Sequence, residues 1–249
     1  MLLGATGGKA LWYLTRGTGL VALLLLTASI LLGIVEVRRW QSRAWPRFVT
    51  AGLHRNLSLL AVAFVAVHVA TTVIDGFAPI GWLDAIIPFH SPYRPIWLGL
   101  GAVAFDLMLA LVVTSLVRGR MGYRWWRAVH WAAYACWPVA LVHGLGTGTD
   151  LRAGWATALY GLCLVTVVVA LWWRLAQAWR EAPDTASGSG TVVGTIVAAA
   201  LTSVIVPAVI VAWVVTGPLR PGWSRRAGTP SRTHAAAVGV PTRGPAEPS

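Results

Sequence analysis

The sequence predicts an all-α protein, a polytopic membrane bundle of six transmembrane helices that ends in a disordered C-terminal tail. Three observations predict it. Of the 249 residues, 57% are hydrophobic and only 11% are charged, where a soluble domain carries about 25% charged residues. The charge is segregated, with short basic clusters between long stretches free of Lys and Arg. Six stretches reach the roughly 20 apolar residues that a helix needs to cross a bilayer.

The six spans run over 11–34, 49–74, 96–117, 125–144, 155–175 and 192–215. The first is too long for a secretory signal and no small-residue cleavage site follows it, so it is expected to stay in the mature protein. The loop over 76–95 is semi-apolar. Trp82, Ile86, Ile87 and Phe89 suit the membrane surface, while Pro88, Pro92 and Pro95 prevent one continuous helix. Residues 183–190 read as a flexible linker. The tail, rich in Pro, Gly, Ser, Thr and Arg, reads as disordered. The domain plan is therefore a core over 1–180, a linker over 181–190, an additional transmembrane helix over 191–216 and a disordered tail over 217–249.

Orientation follows from the arginines. Arg38, Arg39, Arg43 and Arg47 lie between spans one and two, Arg118, Arg120, Arg124 and Arg127 between spans three and four, and Arg174 and Arg180 at the end of span five. These segments are expected in the cytoplasm, and the poorer loops with Asp75, Asp84 and Asp150 outside. Spans two and four then run in the same direction. Five arginines in the tail fit this count poorly. Trp12, Trp97, Trp125, Trp126, Trp155 and Trp179 fall near span ends, as interfacial anchors do. The expected location is the bacterial cytoplasmic membrane, crossed several times.

A net charge of +12 does not imply nucleic acid, because the positive-inside rule already accounts for the arginines. Cys136 and Cys163 lie in apolar spans without CxxC or CxxCH spacing, which excludes a c-type haem attachment.

Four of the six histidines lie on two spans: His54 and His68 on the second, His130 and His143 on the fourth. Ionisable groups inside a membrane are costly and usually functional. The separations, 14 and 13 residues, correspond to about 21 and 20 Å along a helix. Two histidines at matching depth on neighbouring helices can ligate one haem iron from both faces. Parallel spans pair His54 with His130 towards the cytoplasm and His68 with His143 towards the outside. Thirteen residues leave His143 about 140° from the face of His130, so span four is expected to be distorted near Pro138.

The segments LTRGTGLVALLLL at 14–26, LHRNLSLLAVAFVAVH at 53–68 and WRAVHWAAYACWPVALVH at 126–143 resemble the ferric reductase-like transmembrane domain. That domain is the b-type cytochrome core of ferric reductases and NADPH oxidases. The chain is also similar to the haem-binding membrane subunit of periplasmic methionine sulfoxide reductase systems. The resemblance covers roughly residues 10–180. It implies that His54, His68, His130 and His143 are axial ligands of two b-type haems. Oxidases of that family carry flavin- and nicotinamide-binding domains after the core. Here no GxGxxG follows a predicted strand, so oxidation of a nicotinamide on this chain alone is not expected.

Arg55 beside His54 and Arg127 near His130 are candidates to pair with haem propionates; topology and snorkelling are the plainer explanation. His90 and Arg94 are placed to meet the outer haem or an acceptor, or simply to be exposed, and no role is assigned to His234. Asp106 is either a proton-relay group or a structural partner, for instance of Arg16. The expected function is an electron-transfer component of an oxidoreductase. Its donor is a cytoplasmic flavin reductase or membrane quinol. Its acceptor is an outer-face flavoprotein, reductase subunit or ferric chelate. The alternatives are a quinol-linked membrane subunit of a periplasmic reductase, and a non-redox membrane protein whose histidines only join helices.

Overall fold

The computed structural model of the chain describes residues 2–37, 46–75, 78–148, 150–180 and 189–220. Arg38, Arg39, Arg43, His234, the linker over 181–188 and the tail over 221–249 lie outside the described residues, as does the side chain of Arg47. All regular structure among the described residues is helical: α1 (Leu2–Val37), α2 (Arg47–Ile74), α3 (Trp82–Ile86), α4 (Pro95–Leu116), α5 (Arg118–Met121), α6 (Tyr123–His130), α7 (Ala133–Thr147), a 3₁₀ turn (Asp150–Arg152), α8 (Gly154–Arg180) and α9 (Ser189–Thr216).

Five of these helices, α1, α2, α4, α8 and α9, are long and apolar enough to cross a bilayer. Their outward faces carry bare aliphatic side chains, among them Leu59, Leu162, Val169 and Val209, each more than half exposed. Such faces are costly in water and ordinary in lipid. The chain is a multi-pass membrane protein.

The apolar core lies where α1, α7, α8 and α9 meet, around Leu23, Trp137, Leu141, Cys163, Val167 and Ile210. Both cysteines are buried packing residues. The Trp137 indole donates to Thr27 Oγ1 at 2.9 Å, so the one polar atom that this ring brings into the core is satisfied. Buried Thr18, Thr27 and Thr71 return their hydroxyls to carbonyls one turn earlier on their own helices, the local bond that lets a threonine sit inside a membrane helix.

The fourth expected span, 125–144, is not one helix. It is α6 and α7, separated at Trp131 and Ala132. The sequence predicts distortion near Pro138, yet the helix continues through Pro138 and breaks six residues earlier. There the ladder tightens to i→i−3 bonds, from Ala132 N to Val129 O, Tyr134 N to Trp131 O and Ala135 N to Ala132 O. Each residue of 3₁₀ geometry turns about 120° instead of about 100°. Three such steps recover about 60° of the 140° by which an ideal helix would misalign His130 and His143. Arg174 of α8 clamps the break, donating to the Tyr134 hydroxyl and lying 5.4 Å from the Trp131 ring centroid.

The loop before α4 holds the short helix α3, and Trp82, Ile86, Ile87 and Phe89 are exposed along it, a surface suited to the membrane interface. Arg94 ends the loop in the left-handed region, at φ 46°. Its buried side chain donates to the carbonyls of Thr147 at 3.0 Å and Gly146 at 3.4 Å, the open end of α7. Arg94 therefore ties α4 to α7. Arg16 pairs with Asp150 at 2.8 Å, not with Asp106. The reason is packing: α1 rests on α2, α7 and α8, whereas α4 rests on α3, α6 and α7.

Candidate functional site

The four histidines sit on α2, α6 and α7 and meet in two pairs. The rings of His54 and His130 have centroids 6.3 Å apart at 75°, and those of His68 and His143 are 6.3 Å apart at 80°. Metal–nitrogen bonds of about 2.0–2.1 Å, added to an imidazole radius of about 1.1 Å, put two rings that ligate one ion from opposite sides about 6.3 Å apart. Both pairs have that separation. Among the described residues, α2 packs on α1, and α7 on α4 and α1, but α2 and α7 are not a closely packed pair. The histidines face one another across the space so left.

Around His68 and His143 this space is a cavity of about 170 Å³ whose lining includes Gly19, Val65, Phe105, Met108 and Ala140. Apolar walls with two convergent imidazoles are what a buried, axially ligated metal group needs.

Three of the four rings are seated in one way. His54 Nδ1 lies 2.9 Å from Ser29 O, His68 Nδ1 2.8 Å from Thr15 O, and His143 Nδ1 2.7 Å from Trp97 O. A carbonyl only accepts, so Nδ1 carries the proton and Nε2 of the neutral ring presents a lone pair. This is the outer-shell contact that fixes the tautomer of a metal-ligating histidine. Four residues beyond each carbonyl stands a glycine, Gly33, Gly19 and Gly101 respectively. A Cβ there would lie 3.4 Å from the His54 ring, 3.0 Å from the His68 ring and 2.5 Å from the His143 ring. At Gly101 a side chain would collide with the imidazole and at Gly19 it would crowd it, because the ring lies against bare backbone, whereas the clearance at Gly33 is ordinary contact. The carbonyl of each of these histidines also accepts a hydroxyl from four residues on, Ser58, Thr72 and Thr147.

None of these glycines was singled out in the sequence. A signal for two of them exists: Gly19 and Gly33 are 14 residues apart, the spacing of His54 and His68 on the helix they face. Arg55 and Arg127 are both exposed. His90 is bonded to Asp84, with 2.7 Å between Nδ1 and Oδ1, and Asp84 lines the cavity of His68 and His143. Asp106 is half-buried on α4.

Residues 18–144 match the family described as "Ferric reductase like transmembrane component". The chain belongs to this family. The matched stretch of this ferric reductase-like protein takes in both histidine pairs and ends one residue after His143. Among curated proteins it is similar to the "Protein-methionine-sulfoxide reductase heme-binding subunit MsrQ" of Azospira oryzae, with 32% identity over 146 residues, which is 56% of each chain. The likeness thus spans little more than half of that relative. No solved structure matches.

Proposed function

We propose that this ferric reductase-like protein is a di-haem b-type electron-transfer subunit, with one haem between His54 and His130 and the other between His68 and His143. The observation that carries the proposal is the 6.3 Å separation of both ring pairs. The similarity to a protein named as a haem-binding subunit supports it independently. Bound haem supplies a one-electron Fe(III)/Fe(II) couple at each level. The chain's own residues do the rest. The carbonyls of Ser29, Thr15 and Trp97 hold imidazole protons and leave Nε2 as donor. Phe105, Met108 and Val65 give the outer level apolar walls. The spacing of the histidines sets the two levels about 20 Å apart along the helices.

In this proposal α6 and α7 make one broken crossing, for six in all, with the core over 1–180 and α9 as an added helix. Arg118, Arg120, Arg124, Arg127, Arg174 and Arg180 put the His54–His130 level on the cytoplasmic side. Electrons enter there from a flavin reductase or from membrane quinol, and leave at the His68–His143 level. Arg55 and Arg127, exposed near the inner pair, are the candidates to meet propionates. The named relative favours a reductase subunit as the outer acceptor over a ferric chelate.

Purified from haem-replete cells, the full chain should carry about two low-spin haems, both extractable into acid–acetone because no CxxCH tethers them. A chain with no Soret band contradicts the proposal.

A further inference from the structure

His130 breaks the pattern that the other three histidines share. Its Nδ1 is buried and has no hydrogen-bond partner among the described residues. The residue four places on is Tyr134, whose hydroxyl accepts from Arg174 instead of returning a bond to the His130 carbonyl. The helix breaks directly after it. What touches the ring is Trp126, stacked at 4.8 Å between centroids and 25° between planes. The Trp126 indole Nε1 donates to Ser115 Oγ at 3.3 Å.

Register explains the choice of partners. On α1 the two glycine seats, Gly19 and Gly33, are 14 residues apart. On α4 the outer seat is Gly101, and 14 residues further stands Ser115. The position where a fourth glycine would expose bare backbone to His130 thus holds a side chain. That side chain anchors an indole, and the indole takes the imidazole.

We propose that Trp126, held by Ser115, is the positioning residue of His130, replacing the carbonyl-and-glycine seat of the other three ligands; this rests on the haem-binding function proposed above. The consequence is an asymmetry between the two levels. A histidine whose Nδ1–H donates to a carbonyl is the more basic ligand. The outer pair has two such rings and the inner pair one. The inner iron is therefore the less electron-rich, so its haem has the higher midpoint potential and is the first to become high-spin.

The test uses the full-length chain with haem bound, and reads spin state together with the midpoint potential of each haem. The single variants H54A and H68A identify which spectral component belongs to which level. W126L should convert the component missing from H54A to high spin or remove it, a loss of about half the low-spin signal, while the other component keeps its spectrum and potential. W126F, which keeps a ring to stack on, should restore low spin. S115A should move the potential of the inner component alone. W125L, which changes the exposed neighbouring tryptophan, should leave both components unchanged. The seat is refuted if W126L leaves both components as they are, or changes both alike as a general loss of fold would. A wild-type chain without haem refutes the function itself and the seat with it; two haems indifferent to W126L refute the seat alone.

Discussion

His143 Nδ1 lies 2.7 Å from the carbonyl oxygen of Trp97, and its ring covers Gly101, where a Cβ would stand 2.5 Å from the imidazole. One turn of α4 thus holds both the proton and the plane of the ring. Substituting Gly101 by Ala should push His143 out of its seat, with about 1–3 kcal/mol lost to overpacking and loss of the low-spin signal of the haem proposed between His68 and His143. The clearances rank the three seats. Gly101→Ala should do more damage than Gly19→Ala at 3.0 Å, and Gly33→Ala at 3.4 Å should do least. Gly17, with nothing among the described residues within 4 Å of its Cβ position, should tolerate Ala. Haem content and thermal unfolding of the four variants check the order.

Arg94 should matter for stability. Its buried guanidinium satisfies two carbonyls at the end of α7, and hydrogen bonds from charged groups are worth about 1.5–3 kcal/mol each. Arg94→Ala should lower stability by about 2–3 kcal/mol, and Arg94→Lys should rescue little, because an ammonium lacks the planar fork. An unchanged unfolding temperature in Arg94→Ala would show that the α4–α7 tie is idle.

The Arg16–Asp150 pair should matter less. With side chains 19% and 39% exposed, it is partly screened, and such pairs are worth about 1 kcal/mol or less. Asp150→Asn should destabilise by no more than that, with the difference fading at high salt. Asp106→Asn should leave the α1–α8 contact unaltered. A large effect of Asp106→Asn on unfolding would reverse the assignment.

Topology can be read by labelling. The two native cysteines are buried, at 4% and 2% exposure, so introduced thiols report cleanly. In intact cells an impermeant maleimide should label Ile86→Cys in the outer loop and spare Gly119→Cys between α4 and α6. The opposite pattern would exchange the donor and acceptor sides.

Spans and histidine proximity are legible in the sequence because both depend on position along a helix, and position along a helix is one-dimensional. Apolar length marks α1, α2, α4, α8 and α9, and nearly equal spacing, 14 and 13 residues, brings His54 to His130 and His68 to His143. What depends on the angle about a helix axis is not legible in that way. The 140° misfit over 130–143 is readable, yet its remedy at Trp131–Ala132 depends on Arg174 and Tyr134, which meet from different helices. The same holds for Arg16, which finds Asp150 in the turn before α8 because α1 packs more closely on α8 than on α4. Trp126 reads as an interfacial anchor until its ring is seen against His130.

The pairing of ligands tests the account most directly, through haem content and spin state of three double variants of the full chain. Replacing His54 and His130 together should remove one haem and leave the other low-spin, and replacing His68 and His143 should do the reverse, since the levels are about 20 Å apart along the helices. Replacing His54 and His143 together should take one axial ligand from each iron, leaving both haems lost or high-spin. A His54/His143 variant that keeps one intact low-spin haem would contradict both the pairing and the parallel course of α2 and α7.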